Sequence, residues 1–570
     1  MRDNVFSGQE KHEGILGDAP WLTETAIGAR LKSWTGPDGV NLAEWANRLH
    51  FKTQREVIER ELLFKEGEPL NPWLLEETER NLRELGFLRN AYVSDEITGP
   101  GHARVTVLTQ DAWTLDPLLA FSVIGGGHFS GQAGLAEDNL FGFGKSIQFY
   151  RSSERFRDVD FVGYEDPRLW GTHWHLMAEG SEDSDGRVRS ALLEYPFWAL
   201  GVPYSTSDSF GHIIDQERLF SQNGNLFRHW QTAAAFEASS ALESSDNLVR
   251  RIGLRYQLWD DSFGAAPVPS ADQAVGLEGR RTSAVMLTFT EWHPDFVKAY
   301  YLDQLGRPED RDVGSAIKVR IGYSPTVMGA SSSELVFGSS ASFGGRIRDL
   351  TYGWLWLQAS GREGAGAVRD GFVTIEGIGY QRLGLLFDRN QTLVLDARAD
   401  LSSGLFRDHE FVVGTDDGQL RGYPIDYRAG TQRMLFHVED RLALVEDLLH
   451  LVSVGCVAFV DAGQVWGRGT GLSWDNMLAS VGVGLRLAGT RSSLQIPIRL
   501  DFAFPLIHHS GVSWGDFETG APQLFGTFGQ PYAAEQNSIT DPENFAPDST
   551  ASPYPNASPF TYPGSSFTQY

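Results

Sequence analysis

The sequence predicts an all-β transmembrane β-barrel of about 16 antiparallel strands, preceded by one small α+β domain. After Trp113, apolar and polar residues alternate with period 2, and many of the polar positions carry charge. Sixty-two glycines and an aromatic share of 12% suit many strands joined by tight turns. No run of 18 apolar residues occurs in the sequence, so the pattern does not predict a transmembrane helix.

Four segments show the alternation most clearly. Residues 317–323 and 496–504 each place apolar side chains on one face and charged side chains on the other. Residues 435–441 and 481–488 repeat this arrangement. A barrel strand in lipid requires an apolar outer face and tolerates a polar inner face. The charged residues that we expect to face the lumen are Glu439, Arg441, Arg486, Arg499 and Asp501.

The length of the strand-rich part favours one closed barrel. A soluble all-β chain of 415 residues, from Leu118 to Tyr532, should divide into sandwiches or show a repeat, and neither is visible. Lipid demands closure, because an open sheet edge leaves backbone groups unsatisfied in hydrocarbon. We therefore assign 113–532 to an outer-membrane β-barrel, 1–46 to an extension or linker, and the Pro- and Ser-rich residues 533–570 to a flexible tail.

The sequence pattern of residues 47–112 predicts the small α+β domain, with its elements in the order β-α-α-β-β. A first strand could run from Trp45 to Phe51. Thr53, with Glu56 three residues later, has the spacing of a capping box at the start of a first helix. That helix is expected to end at Gly67, because glycine readily adopts the backbone conformation that follows a helix.

The second half of this domain has equally clear boundaries. Asn71 and Pro72 predict the start of a second helix, since proline is favoured at the first helical position. Gly86 predicts its end. Two strands follow, over Ala91–Ile97 and Ala103–Thr109.

Composition excludes several classes of function. The formal net charge of −26 disfavours a nucleic-acid-binding surface, which needs clustered Lys and Arg. Cys456 is the single cysteine, so the chain has no internal disulfide and no cysteine-based metal site. Neither His173 with His175 nor His508 with His509 has further ligands that the sequence predicts. We expect no enzymatic activity, no cofactor and no metal site.

The order of several short motifs resembles a known family. Thr53–Thr109 resembles a polypeptide-transport-associated (POTRA) domain. Gly134–Gly142 is similar to the first barrel turn of the BamA and TamA superfamily of outer-membrane polypeptide transporters, which includes the surface-antigen family. Tyr164–Pro167 and Arg499–Leu506 also resemble segments of that superfamily.

The most specific resemblance concerns a surface loop. Its motif resembles the tip of the family's long sixth loop, which folds back into the lumen, and Phe459–Gly463 resembles the strand motif that receives this tip. An arginine in a lumen needs carboxylate partners, and the resemblance implies that Asp461 is one of them. Gly463 belongs to the same receiving motif. The residues of the loop motif are Leu420, Arg421, Gly422 and Tyr423.

The resemblance also implies a location and a function. The barrel would lie in the outer membrane of a Gram-negative cell, with the POTRA domain in the periplasm. Met1–Val5 shows no signal-peptide character, so an exported chain would be a processed form or have a misassigned start. The implied partners are outer-membrane lipid, unfolded or extended client polypeptides, and other envelope proteins through the POTRA domain or the tail.

The implied mechanism is capture of clients at a strand edge of the POTRA domain, followed by insertion or translocation at the barrel seam. The seam would join a first strand near Leu118–Val123 to a last strand near Leu524–Gln530, in which Leu524, Phe528 and Tyr532 share a face. The alternative is a structural or passive pore barrel that acts as a subunit of a larger outer-membrane complex. A third possibility is a subunit whose tail docks a partner.

Overall fold

The fold is described from a computed structural model that covers the N-terminal domain and most of the barrel. The predicted tail at 533–570 and residues 9–50 lie outside the described residues. The structure describes residues 4–8, 51–124, 128–153, 157–267, 273–348, 350–387, 389–414, 420–424, 427–449, 451–467, 471–491, 497–508 and 512–520.

In its described residues, the N-terminal domain packs two helices on a three-stranded sheet. Its apolar core includes Val57 and Ile58 of the first helix, Leu82 of the second and Val107 of the central strand. The sheet order is β1-β3-β2, with β1 parallel and β2 antiparallel to β3. The elements are β1 Asn4–Gly8, α1 Arg55–Arg60, α2 Pro72–Glu84, β2 Leu88–Gly99 and β3 His102–Asp111.

Two features of this domain differ from the sequence prediction. The third strand comes from Asn4–Gly8, inside the segment assigned to an extension, whereas Phe51, the described end of the predicted first strand, is not in a strand. Thr53 does not cap α1, which begins after Gln54 and ends at Arg60. The Thr53 hydroxyl instead accepts a hydrogen bond of 2.9 Å from the Asn139 side chain, in a barrel turn. A tertiary contact therefore replaces the predicted local cap.

Among the described residues, twenty strands close into one antiparallel barrel. Two short hairpins of the described part lie outside its wall: β14 with β15, and β21 with β22. The barrel strands before the first hairpin are β4 Leu115–Ile124, β5 His128–Glu137, β6 Ser146–Ser153, β7 Asp158–Asp166, β8 His175–Asp183, β9 Gly186–Tyr195, β10 Tyr204–Leu219, β11 Asn225–Ser244, β12 Val249–Gly264 and β13 Arg280–His293. The remaining strands are β14 Phe296–Tyr300, β15 Pro308–Asp312, β16 Ser315–Ser324, β17 Glu334–Arg348, β18 Thr351–Gly364, β19 Ala367–Leu386, β20 Arg389–Ser403, β21 Phe411–Val413, β22 Arg428–Gly430, β23 Gln432–Leu448, β24 Val452–Trp466, β25 Leu478–Gly489, β26 Ile498–Pro505 and β27 Asp516–Gly520.

The fold class predicted from the sequence is confirmed, but the predicted number of strands is wrong. That prediction allowed about 26 residues for each strand and loop. Several connections are much shorter: residues 349–350, 387–388 and 449–451 join neighbouring strands directly. Short turns fit more strands into the same length of chain, so the described part of the wall contains twenty strands rather than about sixteen.

The barrel wall has apolar residues outside and charged residues inside. Ile321 is 48% exposed, whereas its neighbour Arg320 is 4% exposed. Phe502 is 51% exposed and Asp501 is fully buried. This is the reverse of a water-soluble core and is the arrangement that a strand in lipid requires. Neither helix of the described part is long and apolar enough to cross a membrane.

The described seam is formed by β4 and β27. Among the described residues, one pair, Phe517 with Val123, is in register across it, whereas β26 and β27 are in register over five pairs. The predicted closing strand with Leu524, Phe528 and Tyr532 lies outside the described residues. The described last strand, Asp516–Gly520, precedes that segment.

The N-terminal domain sits against one end of the barrel, which we call the domain side; the opposite end is the far side. The backbone amide of Gln54 donates to the carbonyl of Gly142, in the turn after β5, at 2.8 Å. Arg168, in the turn after β7, donates to Glu61 at 2.6 Å. These contacts fix the orientation of the domain relative to the barrel turns.

Candidate functional site

The connection from β20 to β23, residues 404–431, leaves the far side of the barrel and returns into its lumen. We call this connection the long loop. Its motif residues Leu420, Arg421 and Tyr423 are 0%, 2% and 0% exposed, respectively. A charged side chain as deeply buried as Arg421 requires ionic partners.

Arg421 is held by three carboxylates. Its Nε donates to Oδ2 of Asp461 at 2.7 Å and its Nη2 to Oδ1 of the same residue at 2.8 Å, so this ion pair is bidentate. Its Nη1 donates to Oε1 of Glu439 at 2.8 Å and to Oδ2 of Asp501 at 3.2 Å. The guanidinium carbon lies 3.5 Å from the centroid of the Phe459 ring. The strands β23, β24 and β26 supply these partners, so one side chain joins three parts of the wall.

Further charged residues surround this group. Nε of Arg441 donates to Oε2 of Glu439 at 2.8 Å, and Arg486 donates to Asp501. Arg499 lies 3.5 Å from Asp501. The structure thus brings together the five charged residues that the sequence analysis named for the lumen. We call Arg421, Glu439, Arg441, Asp461, Arg486, Arg499 and Asp501 the arginine cluster.

His437 was not among the residues that the sequence analysis named as lumen charges, although its strand alternates in the right phase. Its Nδ1 lies 3.0 Å from Oδ1 of Asp461. The alternation placed it on the same face as Glu439, which is the signal that could have found it.

Tyr423 and the small residues around it explain why the loop tip fits. The Tyr423 hydroxyl donates to the carbonyl of Ala479 at 2.8 Å and accepts from the amide of Ala479 at 3.2 Å. Gly463 is close to Leu435, because a Cβ on this glycine would lie 2.7 Å from the Leu435 side chain. Gly422 has a φ of 86°, a backbone conformation that glycine adopts readily. It also lies against Ala503, so a larger residue would fit only if its neighbours moved.

We expect Gly422→Ala to destabilise the barrel by about 1–2 kcal/mol, because alanine is disfavoured at positive φ. The new Cβ would also lie 3.1 Å from the Cβ of Ala503, which adds a packing cost. The matched control is Gly366→Ala, which has a φ of 79° and no atom within 4 Å of the new Cβ. The midpoint of heat unfolding, read from gel mobility, should fall further for Gly422→Ala than for the control. Equal shifts would show that the loop tip is not closely packed.

A second polar cluster, which the sequence analysis did not predict, lies near the far side. Asp215, Glu217 and His229 are close enough to hold a metal ion. However, the two ring nitrogens of His229 contact Glu217 at 2.6 Å and Asp261 at 3.0 Å. Arg157 lies 3.8 Å from Asp215. Since cations of the chain already face these carboxylates, we interpret the group as an ion-pair network.

The hairpin of β14 and β15, also not predicted, enters the lumen from the domain side. We call residues 296–312 the inserted hairpin. Nη1 of Arg441 donates to Oδ1 of Asp303 at 2.9 Å and to the carbonyl of Leu302 at 2.6 Å. Because Arg441 also contacts Glu439, the inserted hairpin and the long loop meet at the arginine cluster from opposite ends of the barrel.

Comparisons with known proteins agree with the resemblance seen in the sequence. Residues 374–524, which include the long loop and the arginine cluster, match the Omp85 superfamily domain. The predicted relationship to the BamA and TamA type of superfamily is therefore confirmed over this part of the chain. No match was found among curated proteins.

Three solved structures are similar to this chain. BamA from Haemophilus ducreyi lacking POTRA domains 1–3 has 14% identity, with 82% of this chain and 81% of that chain covered and a TM-score of 0.37. CdiB from Acinetobacter baumannii has 14% identity, with coverage of 82% and 72% and a TM-score of 0.42. CdiB from Escherichia coli has 11% identity, with coverage of 82% and 74% and a TM-score of 0.41.

Proposed function

From the premise that this chain carries an Omp85 superfamily domain at 374–524 in an outer-membrane barrel fold, we propose that it transports or inserts polypeptides. Client polypeptides are captured by the N-terminal domain and are inserted or translocated at the barrel seam. The observation that carries this proposal is the seam itself. Among the described residues, β4 and β27 share a single registered pair, Val123 with Phe517, in a wall whose other strands are joined by longer ladders.

The N-terminal domain is positioned for such a role. We propose that residues 47–112, with β1, act as a POTRA domain and that the domain side of the barrel faces the periplasm. The strand β2 is an edge of the three-stranded sheet. An edge strand can pair with an extended polypeptide by β-augmentation, which recognises backbone more than side chains. Clients of differing sequence would therefore be accepted.

The arginine cluster supports the seam in this proposal. Asp501 lies on β26, next to the seam strand β27, and Asp461 lies on β24. Arg421 contacts both carboxylates, so the long loop ties the last strands of the barrel together. The seam can then open without loss of register elsewhere in the wall.

A passive pore is the competing function. The lumen of this barrel contains both the long loop and the inserted hairpin, which are linked through Glu439 and Arg441. Segments that fill a lumen oppose free diffusion of solutes. We therefore favour polypeptide transport over a constitutively open pore.

A disulfide across the seam tests the proposal. We expect Val123→Cys with Phe517→Cys, in a Cys456→Ser background, to crosslink, because directly paired strand residues lie within disulfide range. In cells depleted of the native protein, one or a few envelope proteins should be lost. The reduced variant should restore them and the oxidised variant should not.

The matched control places the same crosslink across an ordinary ladder, with Val483→Cys and Phe502→Cys between β25 and β26. This control should restore the envelope proteins in both redox states. If depletion leaves every envelope protein unchanged and alters only the uptake of small solutes, the chain is a pore and the proposal is wrong.

A further inference from the structure

The inserted hairpin lies on a lumen wall that is shaped for it. Elsewhere the lumen face is largely polar, but on β18, β19 and β20 it carries a buried apolar patch. Ala299 and Leu302 of the hairpin pack on this patch and are 2% and 1% exposed. An apolar patch inside a polar lumen is stable only when something covers it. The residues of the patch are Tyr352, Trp356, Ile378, Tyr380 and Val394.

Polar contacts fix the hairpin to strands on several parts of the wall. The Thr392 hydroxyl donates to the carbonyl of Tyr301 at 2.8 Å. Arg307 donates to the carbonyl of Gly489, at the end of β25, at 3.0 Å. The hairpin starts between β13 and β16, and its contacts reach β20 and β25 on other parts of the wall. It therefore crosses the lumen near the domain side and lies across that end of the barrel.

The base of the hairpin is bound to helix α2 of the N-terminal domain. Arg83 forms a bidentate ion pair with Asp310, with distances of 2.6 Å and 2.8 Å. Nζ of Lys298 donates to Oε1 of Glu79 at 2.8 Å. The side chains of Arg83 and Asp310 are only 7% and 11% exposed. Salt therefore screens this ion pair less than it would screen one at the protein surface.

The same two residues of α2 also cap the free edge of β2. The other carboxylate oxygen of Glu79 accepts from the amide of Val93 at 2.9 Å, and Arg83 donates to the carbonyl of Ala91 at 3.2 Å. In an antiparallel ladder, residues two apart direct their N–H and C=O groups to the same side. Ala91 and Val93 thus point away from β3, toward the position that an added strand would occupy.

Glu79 remains charged at neutral pH. Burial alone would raise its pKa, but hydrogen bonds from Lys298 and from the Val93 amide, together with Arg83, lower the pKa below its ordinary value. The ion pair with the hairpin is therefore intact under the conditions in which a client would arrive.

We propose that the inserted hairpin is a plug of the domain-side entrance, released when an extended polypeptide adds to the β2 edge at Ala91 and Val93. The added strand requires the same N–H and C=O groups that Glu79 and Arg83 occupy. Its binding displaces these two side chains and weakens their ion pairs with Lys298 and Asp310. This inference rests on the proposed transport function and names the regulation of the same pathway.

Planar-bilayer recording of the full chain tests whether the hairpin is a plug. Replacing residues 297–311 by a short Gly-Ser link is feasible, because His293 and Ser315 are directly paired. We expect the native chain to be nearly silent and the shortened variant to conduct ions steadily. A milder variant, Lys298→Gln with Asp310→Asn, should open intermittently. Native conductance in both folded variants would overturn the plug.

Hydrogen–deuterium exchange of the reconstituted full chain tests the coupling. In Glu79→Ala with Arg83→Ala, we expect exchange at residues 296–312 to rise roughly tenfold, as loss of charge-assisted hydrogen bonds predicts. The matched control is Arg55→Ala with Glu59→Ala, an Arg–Glu pair at the same spacing on α1. This control should leave exchange in the hairpin unchanged.

A strand-forming peptide tests the trigger directly. The probe is a synthetic peptide with the sequence of residues 498–504, and its control carries Leu500→Pro, since proline cannot complete a strand ladder. The probe should protect the Val93 amide and raise exchange in the hairpin of the native chain; the control peptide should do neither. Protection of Val93 without any change in the hairpin would refute the coupling. These measurements use no cellular client, so their failure is distinct from failure of the seam experiment.

Discussion

Arg421→Ala should unfold or strongly destabilise the barrel. The substitution leaves Glu439, Asp461 and Asp501, each at most 1% exposed, without the cation that joins them. Loss of one partner from a buried ionic group typically costs about 3–5 kcal/mol. Heat-modifiable gel mobility in lipid should show a large fall in the unfolding midpoint, and proteolysis of the long loop should become faster.

Two control substitutions separate charge from geometry. Arg421→Lys keeps the charge but loses the planar fork that contacts both oxygens of Asp461, so we expect an intermediate loss. Arg250→Ala removes a more exposed arginine that pairs with Glu243 and Glu291, and we expect a much smaller effect. If Arg421→Ala melts and acts like the native chain, the arginine cluster is dispensable.

Leu287→Arg should prevent assembly of the barrel in lipid while leaving the N-terminal domain folded. Leu287 lies on β13 and is 57% exposed on the outer face. Arginine on the lipid-facing side of a barrel strand costs about 2–4 kcal/mol near the bilayer midplane. In a water-soluble sheet, the same change at an exposed leucine would usually alter stability by less than about 0.5 kcal/mol. The fraction of protein that folds into vesicles measures the difference.

The matched control for this prediction is Val327→Arg. Val327 is 90% exposed, but it lies in the turn Thr326–Met328 on the far side rather than in the apolar belt. The Val327→Arg variant should fold into vesicles as efficiently as the native chain. Equal folding of the Leu287→Arg and Val327→Arg variants would mean that the exposed apolar face of β13 does not contact lipid.

The class of fold could be read from local patterns because the side-chain period of a strand is a property of a few consecutive residues. Residues 317–323 alternate in sequence, and the structure places Ile321 outside and Arg320 inside. The same reasoning named the charged residues of the lumen. The returning loop at Arg421 was implied instead by the resemblance of residues 420–423 to a family motif, which alternation alone does not contain.

Other features depend on contacts between residues far apart in the chain, for which no local period exists. Thr53 does not have its predicted capping role, because its hydroxyl accepts a hydrogen bond from the side chain of Asn139, 86 residues away. The number of strands depended on the lengths of the turns, and the alternation of side chains does not report those lengths. The inserted hairpin is the clearest case, since Arg83 and Asp310 are separated by 227 positions. Alternation determined what kind of wall this chain builds, whereas only the folded chain decided how many strands close it and which segment fills it.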